Sequence, residues 1–198
     1  MTMTLEELRE EALQAREDIQ EAAAWQQRNV KIYLHWTAGD YDTTYPEYHL
    51  CITGDGTIYR MMPLTDMASA TWRRNRGSVA VTLCCAAGAD ENSLGNYPPT
   101  SAQIETMAQV IAILAGAFQI PIDKDHVLTH GEAADNEDGL ATHPAYAWWH
   151  DECGDGDTRG DLEYLGTAES PVYNPTATDG SRGGDVLRGK AIWYKEEA

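Results

Sequence analysis

The run Ser78-Val79-Ala80-Val81-Thr82-Leu83-Cys84-Cys85 carries no charge and is apolar almost throughout, the composition of a buried strand. Two more strand candidates precede it. Val30 to Trp36 is one, and Tyr48 to Thr53 continues through Gly54-Asp55-Gly56 into Thr57 to Met61 as a hairpin. Successive side chains of a strand alternate, so Val30, Ile32 and Leu34 fall on one face of the first run and Tyr33 and His35 on the other. Helical segments interleave with these strands. Thr4 and Glu7 make a capping-box pattern ahead of residues 5–28, where Leu5, Leu8, Ala12, Ala15, Ile19 and Ala22 recur at three- and four-residue steps. Thr100 and Gln103 repeat the pattern ahead of Ile104, Met107, Ala108, Ile111, Leu114, Ala115 and Phe118, and Pro121 stops that helix. Strands and helices in this order predict an α/β domain with a central mixed sheet flanked by helices.

A length of 198 residues leaves room for one main domain. The expected division is an N-terminal helix over 1–28, a domain that carries the chemistry over 29–170, and an extended C-terminal arm over 171–198. The arm is expected because 171–188 is rich in Gly, Pro, Ser, Thr and Asp, with Ala191-Ile192-Trp193-Tyr194 as a short terminal strand. Residues 133–160 show little periodicity and read as a long surface insertion, a place where function concentrates. A formal net charge of −18 opposes contact with phosphate backbones or anionic lipid, so nucleic acid and membranes are not expected partners. No stretch is expected to reach bilayer-spanning length, and Met1 to Glu7 lacks the basic segment and apolar run of a signal peptide, which predicts cytoplasmic synthesis. The alanine-rich stripe of the first helix suits packing on the domain or self-association with a second copy. Four cysteines, with Cys84 and Cys85 adjacent in an apolar run, are expected to be reduced.

Two histidines stand out by where they sit: His35 ends the apolar strand-like run Val30-Lys31-Ile32-Tyr33-Leu34-His35, and His130 lies in Asp125-His126-Val127-Leu128-Thr129-His130-Gly131-Glu132. Both read as presented to solvent. With Asp161 they would make a two-histidine, one-carboxylate zinc site, a ligand count that leaves a fourth tetrahedral position open. The intervening insertion offers other third ligands in His143, His150, Asp151, Cys153, Asp155 and Asp157. His49 and His126 read as structural. Glu132 suits either orienting His130 or capping its loop, and Tyr146, Trp148 and Trp149 suit either a sugar-stacking wall or a small local core.

Five segments occur in an order that is specific when taken together: Leu34-His35-Trp36-Thr37-Ala38; Tyr48-His49-Leu50-Cys51-Ile52 with Gly54-Asp55-Gly56-Thr57-Ile58-Tyr59; Asn75-Arg76-Gly77-Ser78-Val79-Ala80-Val81; Thr129-His130-Gly131-Glu132-Ala133; and Thr158-Arg159-Gly160-Asp161-Leu162. In that order the chain, over roughly residues 30–166, resembles the zinc-dependent N-acetylmuramoyl-L-alanine amidases, which include phage endolysins and the peptidoglycan recognition proteins. The resemblance implies zinc held by His35, His130 and Asp161, with Tyr48 and Arg159 beside it as electrophilic helpers. It implies hydrolysis of the amide between N-acetylmuramic acid and L-alanine of peptidoglycan, by an endolysin-like enzyme that reaches the wall after lysis or by another export route. Gly160 replaces a bulky residue common in the family, and Thr71 stands where some phage relatives carry a histidine. A non-catalytic binder of muropeptides or of a protein partner would keep the same fold, but such relatives usually lose a zinc ligand.

Overall fold

Among the residues described by the computed structural model, 1–135 and 160–197, six strands form one mixed sheet. In chain order the strands are β1 (Thr2–Met3), β2 (Lys31–Trp36), β3 (Leu50–Ile52), β4 (Ile58–Arg60), β5 (Ser78–Leu83) and β6 (Val127–Thr129). The helices are α1 (Leu5–Trp25), α2 (Ser101–Phe118), α3 (His130–Ala134) and α4 (Gly183–Glu197). Across the sheet the order is β1-β4-β3-β5-β2-β6. β2 runs parallel to both β5 and β6, β3 runs parallel to β5, and the β3–β4 hairpin and the β1–β4 pair are antiparallel. The α/β class and mixed sheet are as the sequence predicts, whereas β1 and β6 lie outside the three strand candidates.

Alternation along β2 divides the molecule into two layers. Ile32 and Leu34 lie beside Val79 and Val81 of β5 and join the main apolar core with residues of α1, α2 and α4. Tyr33 and His35 face the other way, where Tyr33 packs with Leu128 and Ala133. The apolar stripe of α1 (Leu8, Ala12, Ala15, Ile19 and Ala23) is buried within this chain, and α1 packs on α2. Its capping box is complete, with Thr4 accepting from the Glu7 amide and Glu7 from the Thr4 amide. The helix stops at Trp25 and does not continue to residue 28, because Gln27 turns left-handed (φ 57°) and Arg28 swings out to donate to the carbonyls of Arg74 and Arg76.

α2 is long and apolar enough to cross a membrane, contrary to the sequence expectation that no stretch is. Its apolarity has a different cause: it is the central core helix, packed by α1, α4, β3 and β5. At its first turn Gln103 serves as more than a cap. Its Oε1 accepts the Thr100 amide (3.0 Å), while Nε2 donates to the carbonyls of Ile52 (3.0 Å) and Cys84 (2.9 Å) just where β3 and β5 end. Gln103→Leu keeps the volume but leaves a buried carbonyl and an amide short of partners, at about 1–3 kcal/mol each. The expected loss is about 2–3 kcal/mol, read from the denaturant midpoint with the slope unchanged.

The C-terminal segment departs most from expectation. Residues 171–198 do not end as an extended arm with a strand at 191–194, because Gly183–Glu197 is helical and packs on α2 and β6. Val186, Leu187 and Ala191 are its buried stripe. The adjacent Gly183 and Gly184, poor helix formers, suggest a loop by composition but are required by crowding. A Cβ on Gly183 would stand 1.9 Å from the Leu162 carbonyl oxygen, and one on Gly184 would stand 2.7 Å from the Glu132 carboxylate oxygens.

Candidate active site

Strand register delivers the two histidines. Thr129 of β6 is paired with Leu34 of β2, so the next residue of each chain, His130 and His35, emerge side by side at the carboxyl ends of adjacent parallel strands. That end of an open α/β sheet is where ligand sites form. The two Nδ1 atoms are 3.1 Å apart, and the rings meet edge to face at 4.7 Å between centroids. Asp161, from the segment before α4, places Oδ2 at 3.6 Å from each Nδ1. Four-coordinate zinc with bonds of about 2.0–2.1 Å sets neighbouring donors roughly 3.3 Å apart, so the three atoms have the spacing of three corners of a tetrahedron. Donor chemistry and spacing therefore both fit zinc.

The histidines are not presented to solvent as the sequence reading has it: His35 is 0% and His130 6% exposed. Their ligating edges turn inward towards Asp161, and the far edge of His35 is covered as well. Thr71 Oγ1 lies 3.1 Å from His35 Nε2. With a metal bound, Nε2–H would donate to that hydroxyl and leave Nδ1 the lone pair that the metal needs. Burial opposes ionisation of Asp161, but the hydrogen bonds and positive character of His130 and His35 outweigh it and hold the carboxyl well below its usual range. The third donor is thus a carboxylate at any physiological pH.

Tyr48 sits in the bend before β3 and not in the strand itself, half-buried with its ring centroid 5.2 Å from that of His35. Burial, then the negative charge of Asp161, push its phenol above the ordinary value, while a hydrogen bond to Thr82 pulls the other way. It remains a neutral O–H donor next to the metal-binding atoms. Thr82 in turn lies beside His35 in the register of β5 against β2.

Arg159 lies outside the described residues, as do His143, His150, Asp151, Cys153, Asp155, Asp157 and the aromatic group Tyr146, Trp148 and Trp149. His49 is structural: buried, it accepts the Ala80 amide at Nδ1 (3.0 Å) and donates from Nε2 to the Asp66 carbonyl (2.9 Å). His126 bonds Asp123 and Asn29. Glu132 takes the capping role, since it accepts the Thr129 amide (2.9 Å) in a capping box at the helix that His130 opens and pairs with Arg188 through both oxygens. Cys51, Cys84 and Cys85 are buried free thiols.

Sequence reasoning notes Thr71 only as a replaced histidine and misses its hold on His35. It also misses Arg182 and Arg188, which reach the site's supporting residues from the start of α4. For Arg188 a signal exists in the helical spacing of Val186, Leu187 and Ala191 around it.

Known structures with a similar fold include the endolysin N-acetylmuramoyl-L-alanine amidase LysCS from Clostridium intestinale URNW, 20% identical over 52% of this chain and 68% of that one, TM-score 0.40. The Ph2119 endolysin of the Thermus scotoductus MAT2119 bacteriophage Ph2119 is 17% identical, covers 52% of this chain and 71% of its own, and has a TM-score of 0.42. No curated protein sequence matches the chain significantly. Residues 12–144, about two-thirds of the chain and including both His35 and His130, match the sequence pattern of the N-acetylmuramoyl-L-alanine amidase family, and the chain belongs to that family.

Proposed function

We propose that the protein is a zinc-dependent amidase that cuts the bond between the lactyl group of N-acetylmuramic acid and the L-alanine of the stem peptide in peptidoglycan. The observation that carries this reading is the convergence of His35 Nδ1, His130 Nδ1 and Asp161 Oδ2 in a member of an amidase family. Zinc bound there supplies Lewis acidity, which polarises a carbonyl and makes water a competent nucleophile near neutral pH. The chain's own residues do the rest. Thr71 Oγ1 can accept from His35 Nε2–H, the tautomer that metal binding at Nδ1 requires, and burial with the Asp161 charge keeps the Tyr48 phenol protonated, ready to donate to the carbonyl oxygen as negative charge develops. Arg159, two residues before Asp161, is the proposed cationic partner of that oxygen.

A recognition-only protein of the same fold has no need of three converging donors, and their retention favours catalysis. With a net charge of −18, attraction to an anionic wall polymer must come from groups in the cleft and not from the field of the whole protein. The proposed setting is that of an endolysin-like enzyme meeting the wall after lysis or by another export route.

The test is elemental analysis of protein purified without added metal, joined to mass spectrometry of digested peptidoglycan. About one zinc per chain and new L-alanine amino termini are expected. Less than about a tenth of an equivalent, with no uptake on adding zinc, ends the metalloenzyme reading. Full zinc without new termini on any wall type leaves a binding module instead.

A further inference from the structure

His130 and Asp161 arrive on separate stretches of chain, and the start of α4 grips both. Arg188, buried, donates from Nη1 to the Val127 carbonyl (2.8 Å) and to Glu132 Oε2 (2.7 Å), and from Nη2 to Glu132 Oε1 (2.7 Å) and Asp185 Oδ1 (2.6 Å). Glu132 Oε2 also accepts the amide of Thr129, the residue directly before His130. Arg182, just ahead of α4 and likewise buried, donates from Nε and Nη2 to the two oxygens of Glu163, both at 2.8 Å, two residues beyond Asp161. It also pairs with Asp135 (3.7 Å) at the end of α3, so this one guanidinium spans both stretches. The Glu163 carbonyl accepts the Gly183 amide (3.1 Å), which seats the helix start against the same turn.

Backbone geometry says that this turn needs holding. Leu162, between Asp161 and Glu163, has φ +61°, a left-handed conformation that a branched side chain keeps only where its surroundings over-determine it. The surroundings here are Gly183, pressed on the Leu162 carbonyl, and Gly184, pressed on the Glu132 carboxylate, both at distances that no Cβ would allow. α3 is five residues long, and the Asp161 stretch belongs to no strand, so neither is held in place by a ladder of its own.

We propose that Arg182 and Arg188 are positioning residues that hold His130 and Asp161 at the separation a metal ion requires, so that the C-terminal helix sets the affinity of the metal centre. This rests on the zinc reading above. Two-pronged arginine–carboxylate pairs fix angle as well as distance. When the ligand stretches occupy the competent arrangement only part of the time, metal binds more weakly by that fraction.

The experiment measures zinc affinity of the full chain by competition with a chromophoric chelator, alongside the unfolding midpoint of the zinc-free protein. Arg182→Lys and Arg188→Lys retain the charge but lose the fork. Arg60→Lys is the control, since Arg60 pairs with Glu11 (2.6 Å) through Nε, away from the site at the far side of the sheet. Zinc binding about 10- to 100-fold weaker is expected for the first two, and a change under about twofold for the control, even where the zinc-free midpoints fall alike. Saturating zinc should restore hydrolysis in both variants, as a catalytic role for either arginine would not permit. Less than about tenfold weakening in both, or equal weakening in Arg60→Lys, overturns the proposal. Should a lysine variant fail to fold, Arg182→Met combined with Glu163→Gln removes the pair without stranding a buried charge, since Asp135 is exposed, and the same threshold decides. A wild type that binds no zinc ends the zinc reading and this inference with it, whereas tight binding by wild type and variants alike ends this inference only.

Discussion

Asp161→Ala is expected to take zinc from about one equivalent per chain to less than about a tenth, and to reduce the release of L-alanine termini to background. Two imidazoles alone leave the ion short of a ligand and short of the one negative charge that offsets its own. His35 stays in place through β2, and His130 through the end of β6 and the Glu132–Arg188 pair, independently of Asp161. The loss should therefore come without a matching loss of fold, as circular dichroism would register. Cys153→Ser is the companion variant and should keep both metal and activity. Zinc lost from the cysteine variant and kept by the aspartate variant would move the third ligand into the insertion.

Tyr48→Phe should leave zinc content untouched and lower turnover by about 10²–10³, the usual cost of removing one hydrogen-bond donor to a developing oxyanion. The change deletes one hydroxyl from a half-buried ring, so the ring's packing beside His35 survives. It also removes the hydrogen bond to Thr82, a contact whose loss is felt in stability at about 1 kcal/mol and not in turnover. Rates are compared at equal zinc occupancy, with KM and kcat separated. A donor that acts mainly on the transition state lowers kcat, whereas one that merely binds substrate raises KM. Equal rates would take Tyr48 out of the mechanism.

What could be read from the sequence was local. The capping pairs Thr4–Glu7 and Thr100–Gln103 span three residues each, and both boxes are formed. His35 is found because it ends a short apolar run, and His130 and Asp161 because of the segments around them. Features that depend on distant chain were missed. Gly183 and Gly184 look like loop residues until Leu162 and Glu132 are set against them. β1 is only two residues long and exists through pairing with β4, and the burial of the histidines comes from Asp161, Thr71 and each other. Gln103 appears in the sequence as a cap, and its second task at the ends of β3 and β5 appears only once those strands lie next to α2.

The pairing of Leu34 with Thr129 makes the metal centre a gauge of strand alignment. β6 is short and lies at the sheet's edge, the kind of strand most apt to pair out of step. Slipped by one residue in one direction, it would set Thr129 beside His35; slipped in the other, it would set Gly131 there. Neither side chain offers a nitrogen, and His130 itself would turn to the opposite face. The stabilisation that comes with a bound ion is then available only to a chain that has joined its strands in the right frame. A trace metal added during refolding would act as a proofreader of the sheet.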